Sequence, residues 1–318
     1  MALPADIASR LTLPMIAAPM FLVSGVELVS AACAAGVIGS FPTANCRTVE
    51  ELDAWMTELR RRAEDSGESL DGSWAGAPLC PNLIVHRSNA RLMDDVAVLI
   101  RHRVEMVIAS VGSPVPVIAP LHDAGCRVFT DIASLRHAER AIDAGSDGLI
   151  LLTAGAGGQT GWANPLAFAR AVRAIWDGPL VLAGGVSDGH SLFAARALGC
   201  DLAYMGTRLI ATRESMASPA YKEMLVASRL DDVLLTRAFT GLETNMLRPS
   251  IVAAGLDPDA LPARGGIEIG KDLDPEKRRW RDVWSSGHSV SGVTDIPGVA
   301  ELIGRVRHEY DAARASAG

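Results

Sequence analysis

Residues 180–208 read LVLAGGVSDGHSLFAARALGCDLAYMGTR, and this stretch decides the fold class. Two short apolar runs, Leu180–Ala183 and Leu202–Met205, flank a helical pattern that ends in Leu198-Gly199. A glycine at that point supplies the left-handed residue with which helices commonly end. The stretch therefore predicts two parallel strands joined by a crossover helix.

The same alternation of apolar runs and amphipathic stretches fills the first two thirds of the chain. It predicts eight strands, which are Met15–Ala18, Val37–Ser40, Leu79–Leu83, Met106–Ser110, Arg127–Thr130, Gly148–Leu152, Leu180–Ala183 and Leu202–Met205. The helices predicted between them are Val26–Ala35, Val49–Ala63, Asn89–Arg101, Val115–Ala124, Leu135–Ala144, Pro165–Ile175 and Ser191–Leu198. Eight such units close into a (β/α)8 TIM barrel.

The rival fold is an open doubly wound sheet, whose first strand normally runs into a GxGxxG turn. Here the first strand runs into Ala18-Pro19-Met20 instead, so the barrel is the preferred prediction.

The alternation stops after the eighth strand. Arg213–Ser228 has a helical pattern, Asp231–Arg237 is typical of a short strand, and Val299–Ala313 predicts a final helix with one apolar face. We therefore expect three parts. They are a barrel over residues 1–212, a small insertion or lid over 213–292, and a C-terminal helix within 293–318 that returns to the barrel.

Composition argues against several classes of protein. The chain has 318 residues, a net charge of −7, 49% hydrophobic residues and 21% charged residues, which excludes a disordered protein. An acidic chain with a pI near 5.5 has no electrostatic basis for binding nucleic acid or an anionic membrane. Its five cysteines include no CxxC pair, so we expect no metal site.

The sequence predicts neither secretion nor insertion into a membrane. Its N-terminus has no signal-peptide pattern, and no apolar run is long enough to span a bilayer. We therefore expect a cytoplasmic protein that acts on a small molecule, and the sequence leaves open whether it forms a homo-oligomer.

Glycine-rich turns follow the seventh and eighth predicted strands. Gly184-Gly185 and Gly206-Thr207 let backbone N–H groups and a hydroxyl approach a phosphate, because no Cβ blocks the approach. Active sites of barrels form at the carboxyl ends of the strands. The two turns together predict a phosphorylated ligand, either a cofactor or a substrate. The alternative is that the glycines only make tight turns between strand and helix.

The sixth predicted strand ends in the longest glycine cluster, Ala154–Pro165. Such a loop can lie against a flat ligand and hold one polar side chain, Gln159, at its tip. A mobile linker is the alternative, but Asn164-Pro165 is typical of a fixed helix start.

At these residues the chain resembles the nitronate monooxygenase family, whose members are FMN-dependent TIM-barrel enzymes. The matching stretches are PMIAAPM (Pro14–Met20), Asn82 after the third strand, GAGGQTG (Gly155–Gly161), LAGGVSDG (Leu182–Gly189) and MGTRLIATRES (Met205–Ser215). The resemblance implies non-covalently bound FMN, with its phosphate at the turns of Gly184, Gly185, Gly206 and Thr207. It also implies that the flavin ring lies against Ala18, Pro19, Met20, Asn82, Gly157 and Gly158.

Two positions depart from the family pattern. Gln159 stands where the best-known members carry the histidine that removes the α-proton of a nitroalkane. An amide cannot act as a base at neutral pH. Asp131 stands where a Lys or Gln lies near the flavin pyrimidine, and an ionised carboxylate there would disfavour an anionic reduced flavin. We interpret Asp131 as a structural residue beside the cofactor.

Two histidines are further candidates for acid or base catalysis. His86 follows Asn82 by four residues, and His288 lies in the glycine- and serine-rich segment WSSGHSVSG. For each, a surface histidine in a loop is the alternative. Glu243, Asn245 and Arg248 are candidates to orient an anionic substrate or, alternatively, to stabilise the lid.

The leading hypothesis is an FMN-dependent oxidoreductase that resembles nitronate monooxygenase and oxidises alkyl nitronates with dioxygen. A preformed nitronate is already deprotonated, so the absence of the histidine does not exclude this reaction. The alternative is a flavin reductase that takes electrons from NAD(P)H and acts on an enoyl thioester, an enone or a quinone. A third hypothesis is a non-catalytic flavin-binding protein, or a phosphosugar-handling barrel without flavin.

Overall fold

Eight short parallel strand segments form a closed barrel in the computed structural model, which describes residues 3–66, 76–262 and 281–317. Seven of them belong to one sheet. In spatial order they are β1 (Met15–Ala17), β8 (Leu202–Met205), β7 (Leu180–Ala183), β5 (Gly148–Leu152), β4 (Arg127–Ile132), β3 (Met106–Ser110) and β2 (Asn82–Ile84).

The eighth segment closes the barrel between β1 and β2. Ile38 forms a parallel bridge with Ile16 of β1, and Gly39 forms one with Leu79, just ahead of β2. The predicted (β/α)8 TIM barrel is therefore confirmed, and the open doubly wound sheet is excluded.

Helices surround the barrel and connect its strands. They are α1 (Ala5–Ala8), α2 (Val26–Ala34), α3 (Val49–Ser66), α4 (Leu92–Arg101), α5 (Val115–Asp123), α6 (Leu135–Asp143), α7 (Pro165–Arg173), α8 (Gly189–Ala197), α9 (Thr207–Ile210), α10 (Pro219–Ala227), α11 (Arg248–Ala253) and α12 (Val299–Ser316). Short 3-10 turns cover Thr43–Asn45, Leu230–Asp232 and His288–Gly292. Apolar side chains fill both the barrel interior and the layer between strands and helices.

Side-chain caps fix where several helices begin. The Asn164 side chain accepts a hydrogen bond from the Leu166 N–H with Pro165 as the first helical residue, so the predicted helix start at this point is confirmed. Asp188 caps α8 by accepting from the Ser191 N–H, which starts that helix two residues earlier than predicted.

Two helices begin later in the chain than the sequence predicts. The helix predicted over Arg213–Ser228 begins only at Pro219, because Ser218 caps it and a proline is suited to the first helical position. The helix predicted from Asn89 begins at Leu92, because the Asn89 side chain accepts from the Arg91 N–H and donates to a strand carbonyl instead.

The C-terminal helix α12 packs against the barrel. Val299, Leu302 and Val306 of its apolar face are buried in the same cluster as the barrel strands. Gly189 at the start of α8 allows this close packing, because a Cβ there would lie 2.1 Å from the Tyr310 backbone nitrogen. No helix of the described residues is long and apolar enough to cross a bilayer.

A second, smaller sheet lies at the barrel mouth, and we name it the cap sheet. It consists of β6 (Gly158–Gln159), β10 (Thr244–Leu247) and β9 (Val233–Thr236), in that order. All three are antiparallel to their neighbours, with Thr244 opposite Gln159 on one side and Thr236 on the other. The glycine-rich loop after β5 is thus paired with the segment that follows the barrel.

Candidate active site

Four polar side chains form a group in the barrel, which we name the polar floor. Ser110, Asp131 and Tyr204 lie at or next to the last residues of β3, β4 and β8, and Asn82 is the first residue of β2. Side chains two apart along a strand share a face, so Ser110 and Asp131 lie above Ile108 and Phe129 of the barrel interior. The Asn82 amide donates to the Ser110 hydroxyl, and that hydroxyl donates to Asp131 Oδ2. These bonds join the three neighbouring strands β2, β3 and β4.

Two buried oxygen atoms of the polar floor lack partners. Asp131 Oδ1 and the Tyr204 hydroxyl make no hydrogen bond within the described part of the chain. Burial raises the pKa of Asp131 to about 7, while the hydrogen bond from Ser110 lowers it. Burial, and next the charge of Asp131, raise the pKa of Tyr204 well above its ordinary value. A buried polar atom without a partner is rare in proteins, so the floor has unused capacity for a ligand.

The turns after β7 and β8 form a second group, which we name the glycine cradle. It contains Gly184, Gly185, Gly206 and Thr207. Gly184 has φ +124°, and a Cβ there would lie 2.4 Å from Thr153 Oγ1. Gly185 has φ +80°, and its missing Cβ would project into open space with no atom within 4 Å. The backbone at Gly185 is therefore open to a ligand at the mouth of the barrel.

The glycine-rich loop after β5 is held against the cradle by Asn245. The Asn245 amide donates to the carbonyl oxygens of Ala154 at 2.9 Å and Ala156 at 2.7 Å. Asn245 is fully buried, and its Oδ1 has no partner among the described residues. Of the two roles predicted for this residue, the structure shows the stabilising one.

The segment before the last 3-10 turn packs on the same loop. The Gly287 N–H donates to Thr207 Oγ1 at 2.9 Å, and the His288 N–H donates to the Gly155 carbonyl at 3.0 Å. A Cβ on Gly157 would lie 2.6 Å from the Gly287 nitrogen, so the two chain segments are in direct contact. Thr207 therefore has its hydroxyl oxygen occupied by the chain itself.

Asn45 fixes the loop that follows β1. Ala18, Pro19 and Met20 are each half-buried at this edge of the mouth. The Asn45 amide donates to the Met20 carbonyl, and its oxygen accepts from the Leu22 N–H at 2.9 Å. Gly206 of the cradle faces this loop, because a Cβ on it would lie 3.5 Å from the Ala18 Cβ.

The three residues predicted to be catalytic lie in different surroundings. Gln159 is half-buried in the cap sheet, and no described residue hydrogen-bonds its side-chain amide. His288 is exposed beside Gly155 at the mouth. His86 is half-buried, with Nδ1 2.7 Å from Ser88 Oγ in its own turn. Gln159 is part of the glycine-rich loop and the fold brings His288 to it, whereas the hydrogen bonds of His86 are local.

Sequence reasoning missed Ser110, Tyr204 and Asn45 as parts of the site. Ser110 and Tyr204 lie at or next to the last position of β3 and β8, where barrel active sites form, and that position was the available signal. Asn45 had no signal, because its partners lie more than 20 residues away in sequence.

The sequence model of the nitronate monooxygenase family matches residues 79–306, which is most of the chain. The chain belongs to this family. The match includes the polar floor, the glycine cradle and the cap sheet. The predicted family resemblance is therefore confirmed.

Individual relatives carry different names. The chain is 28% identical over 245 residues to the (3aS,4S,5R,7aS)-5-hydroxy-7a-methyl-1-oxo-octahydro-1H-indene-4-carboxyl-CoA dehydrogenase of Mycobacterium tuberculosis, covering 75% of this chain and 64% of that protein. It therefore matches less than two thirds of that relative's length. It is 26% identical to a nitronate monooxygenase of Paraburkholderia phytofirmans, covering 93% of this chain and 92% of the relative.

Among solved structures, FabK from Thermotoga maritima superposes with a TM-score of 0.78 at 23% identity, covering 99% of this chain and 98% of FabK. At that identity the likeness supports the barrel fold and nothing finer.

Proposed function

We propose that this chain is an FMN-dependent oxidoreductase that oxidises alkyl nitronates with dioxygen. The observation that carries the proposal is the pairing of two features at one end of the barrel. A cradle of glycine backbone opens into free space at Gly185, and a polar floor nearby contains buried atoms without partners. Family membership supports the same activity.

The residues present fit an FMN molecule. The open backbone at Gly185, with Gly184, Gly206 and Thr207 beside it, suits a phosphate that must approach closely. The half-buried loop of Ala18, Pro19 and Met20 offers apolar surface to a ring, with Asn82, Asp131, Gly157 and Gly158 as further neighbours. FMN would supply the capacity to accept and return electrons.

The chain's own residues would bind and orient the substrate rather than deprotonate it. The Gln159 amide can donate a hydrogen bond to the oxygen atoms of a nitro or nitronate group, but it cannot remove a proton at neutral pH. This favours the nitronate, which is already deprotonated, over the neutral nitroalkane. His288 is the better placed of the two candidate histidines, because its backbone contacts the glycine-rich loop.

The segment 213–292 is proposed to act as a lid over this site. The structure describes residues 213–262 and 281–292 of it, and these include two strands of the cap sheet and the Asn245 contacts. Removing the segment should lower activity far more than flavin content. Loss of soluble expression would instead make the segment part of the core.

A second candidate function is a flavin enzyme that exchanges electrons between NAD(P)H and an acyl thioester. The specific observation in its favour is Gln159, since hydride transfer needs no α-proton base at that position. A dehydrogenase whose name specifies a CoA thioester is among the relatives, at 28% identity.

The absorption spectrum of the purified protein tests the proposal first, followed by the mass of the released cofactor. We expect a yellow protein that carries FMN, consumes dioxygen with nitronates and is not bleached anaerobically by NADH or NADPH. Rapid bleaching by either nucleotide would support the second candidate. A yellow protein inert to all of these compounds, or a colourless one, would exclude both activities.

A further inference from the structure

We propose that Asp131 takes up a proton when a bound flavin is reduced and releases it when the flavin is reoxidised. This inference rests on the proposed flavin function and adds a proton-handling residue to it. It replaces the expectation that Asp131 is only structural.

The position of Asp131 is the first argument. It is the next-to-last residue of β4, in the polar floor at the carboxyl ends of the strands. Its Oδ2 is fixed by the Ser110 hydroxyl, which in turn is held by Asn82. The residue as a whole is half-buried, whereas its Oδ1 is a buried atom without a hydrogen-bond partner among the described residues. A carboxyl that is held through one oxygen and unpartnered at the other has bonding capacity left for a proton.

The surroundings of the carboxyl are the second argument. The titratable groups that interact with it are Cys80 and Tyr204, and both are neutral at ordinary pH because burial raises their pKa values. The described part of the chain places no cation in an ion pair with Asp131. An unpaired carboxylate in such a place is costly, which is why burial raises its pKa to about 7. A group with that pKa gains and loses a proton at little cost near neutral pH.

The proton transfer balances without a further reagent. Electrons reach the ring from the reductant, which is a nitronate or a reduced nicotinamide. The negative charge that they add would raise the proton affinity of the Asp131 carboxylate, which then forms an O–H bond with a proton from water. That bond breaks and the proton returns to water when dioxygen, or the thioester of the second candidate function, removes the electrons.

Proton uptake during anaerobic reduction of the flavin-loaded protein tests the proposal without turnover. The protein is reduced photochemically in weak buffer, and the protons bound for every two electrons are measured with a pH indicator. At pH 8 the parent should take up about one proton more than Asp131→Asn, because its carboxyl is ionised before reduction. At pH 5 the two proteins should take up equal numbers, because the carboxyl is then protonated throughout.

Two further variants identify the group. Ser110→Ala removes the hydrogen bond that lowers the pKa of Asp131, so the extra uptake should begin at a higher pH than in the parent. Tyr204→Phe removes the other floor oxygen that lacks a partner. The extra proton uptake should then begin in the same pH range as in the parent. In each protein, the visible spectrum of the oxidised form should begin to change at the same pH as that at which the extra proton uptake begins.

Equal uptake by the parent and Asp131→Asn at both pH values would overturn the proposal while leaving the flavin function intact. If Asp131→Asn fails to hold flavin, an unshifted onset in Ser110→Ala would overturn it instead. A parent protein without flavin would refute the proposed function itself.

Discussion

The glycine cradle and the polar floor lie at the same end of the barrel but are built from different parts of the chain. At the cradle the groups proposed to face the ligand are backbone, and glycine at 184 and 185 provides the left-handed conformation without strain. At the floor they are side chains, and the chain leaves Asp131 Oδ1 and the Tyr204 hydroxyl buried without partners. Backbone binding sets position, whereas the side chains carry groups that titrate.

Left-handed backbone also occurs at the floor, but without glycine. Val111 follows Ser110 directly and has φ +59°, an uncommon conformation for a β-branched residue. Strain of this kind is found at functional sites when the surrounding structure holds it in place. The cradle therefore reaches the left-handed region through glycine, whereas next to the floor a β-branched residue adopts it with strain.

Gly185→Val should have the largest effect, since the new side chain enters the open space where the phosphate is proposed to bind. Loss of two hydrogen bonds to a charged phosphate, each worth about 1.5–3 kcal/mol, should weaken FMN binding by about 100-fold or more. The measurement is the dissociation constant of FMN, obtained from quenching of its fluorescence by the apoprotein.

Gly125→Val is the matched control for this substitution. Gly125 has φ +76° with open space at its Cβ position, and it ends α5 on the exposed surface. Both variants therefore acquire the same backbone strain, but only Gly185→Val should lose flavin. Equal FMN affinities for the two variants would place the phosphate elsewhere.

Asp131→Asn should change the pH dependence of stability in the apoprotein. Folding raises the pKa of Asp131 from 3.8 to about 7, so the folded protein holds a proton that the unfolded chain has lost in that interval. Stability of the parent therefore falls as pH rises from about 4 to about 7. Relative to the parent, Asp131→Asn should gain on the order of 2–4 kcal/mol between pH 4 and pH 8, measured by urea unfolding.

Asp53→Asn should show the opposite sign. The side chains of His102 and Arg101 lower the pKa of Asp53, so its contribution to stability is present at neutral pH and is lost as the pH falls. That variant should therefore be weakened at pH 8 relative to the parent and approach it in acid. A flat difference between Asp131→Asn and the parent would mean that the floor carboxyl is ionised throughout, as at an ordinary surface site.

Local sequence patterns predicted the barrel and the glycine turns of the cradle. Of the floor, Asn82 and Asp131 were named only through the family resemblance, and Ser110 and Tyr204 were not predicted. Gly184-Gly185 is a signal within two residues, and each strand appears as a short apolar run. The bond from Ser110 to Asp131 joins residues 21 apart, and the Asn245 bonds to Ala154 and Ala156 join residues 91 and 89 apart. Such pairs exist only once the barrel has closed, so no periodicity in one chain segment can indicate them.

Gln159 belongs to the glycine-rich loop, and in the proposed function its side chain binds the substrate. Its substitution therefore tests whether the loop contributes a side chain or only backbone to the site. Gln159→Ala should lower turnover by about 10- to 1000-fold if one hydrogen bond to developing charge is lost, with FMN still bound. Gln159→His should raise activity on neutral nitroalkanes relative to nitronates, because imidazole can act as the missing base. Both are measured as oxygen consumption.

Thr236→Ala is the control for Gln159, because Thr236 pairs with Thr244 from the far side of the cap sheet. It should keep the parent's turnover. If Gln159→Ala also matches the parent on every accepted substrate, the loop supports the site only through its backbone, and His288 becomes the first candidate for substrate contact.

Val111→Gly should have the smallest effect and tests whether strain at the floor serves the site. Relief of the left-handed strain should stabilise the protein by about 1 kcal/mol, after allowance for the greater freedom of glycine in the unfolded chain. Arg103 is the matched control, since it has φ +51° between α4 and β3, at the opposite end of the strand that Val111 follows. Arg103→Gly should stabilise the protein by a similar amount and leave KM unchanged.

Val111→Gly should instead raise KM, because the half-buried side chain next to Ser110 is lost from the mouth. Parallel behaviour of the two variants in both stability and KM would show that Val111 contributes strain alone, and that the floor needs no side chain beyond those of its polar residues.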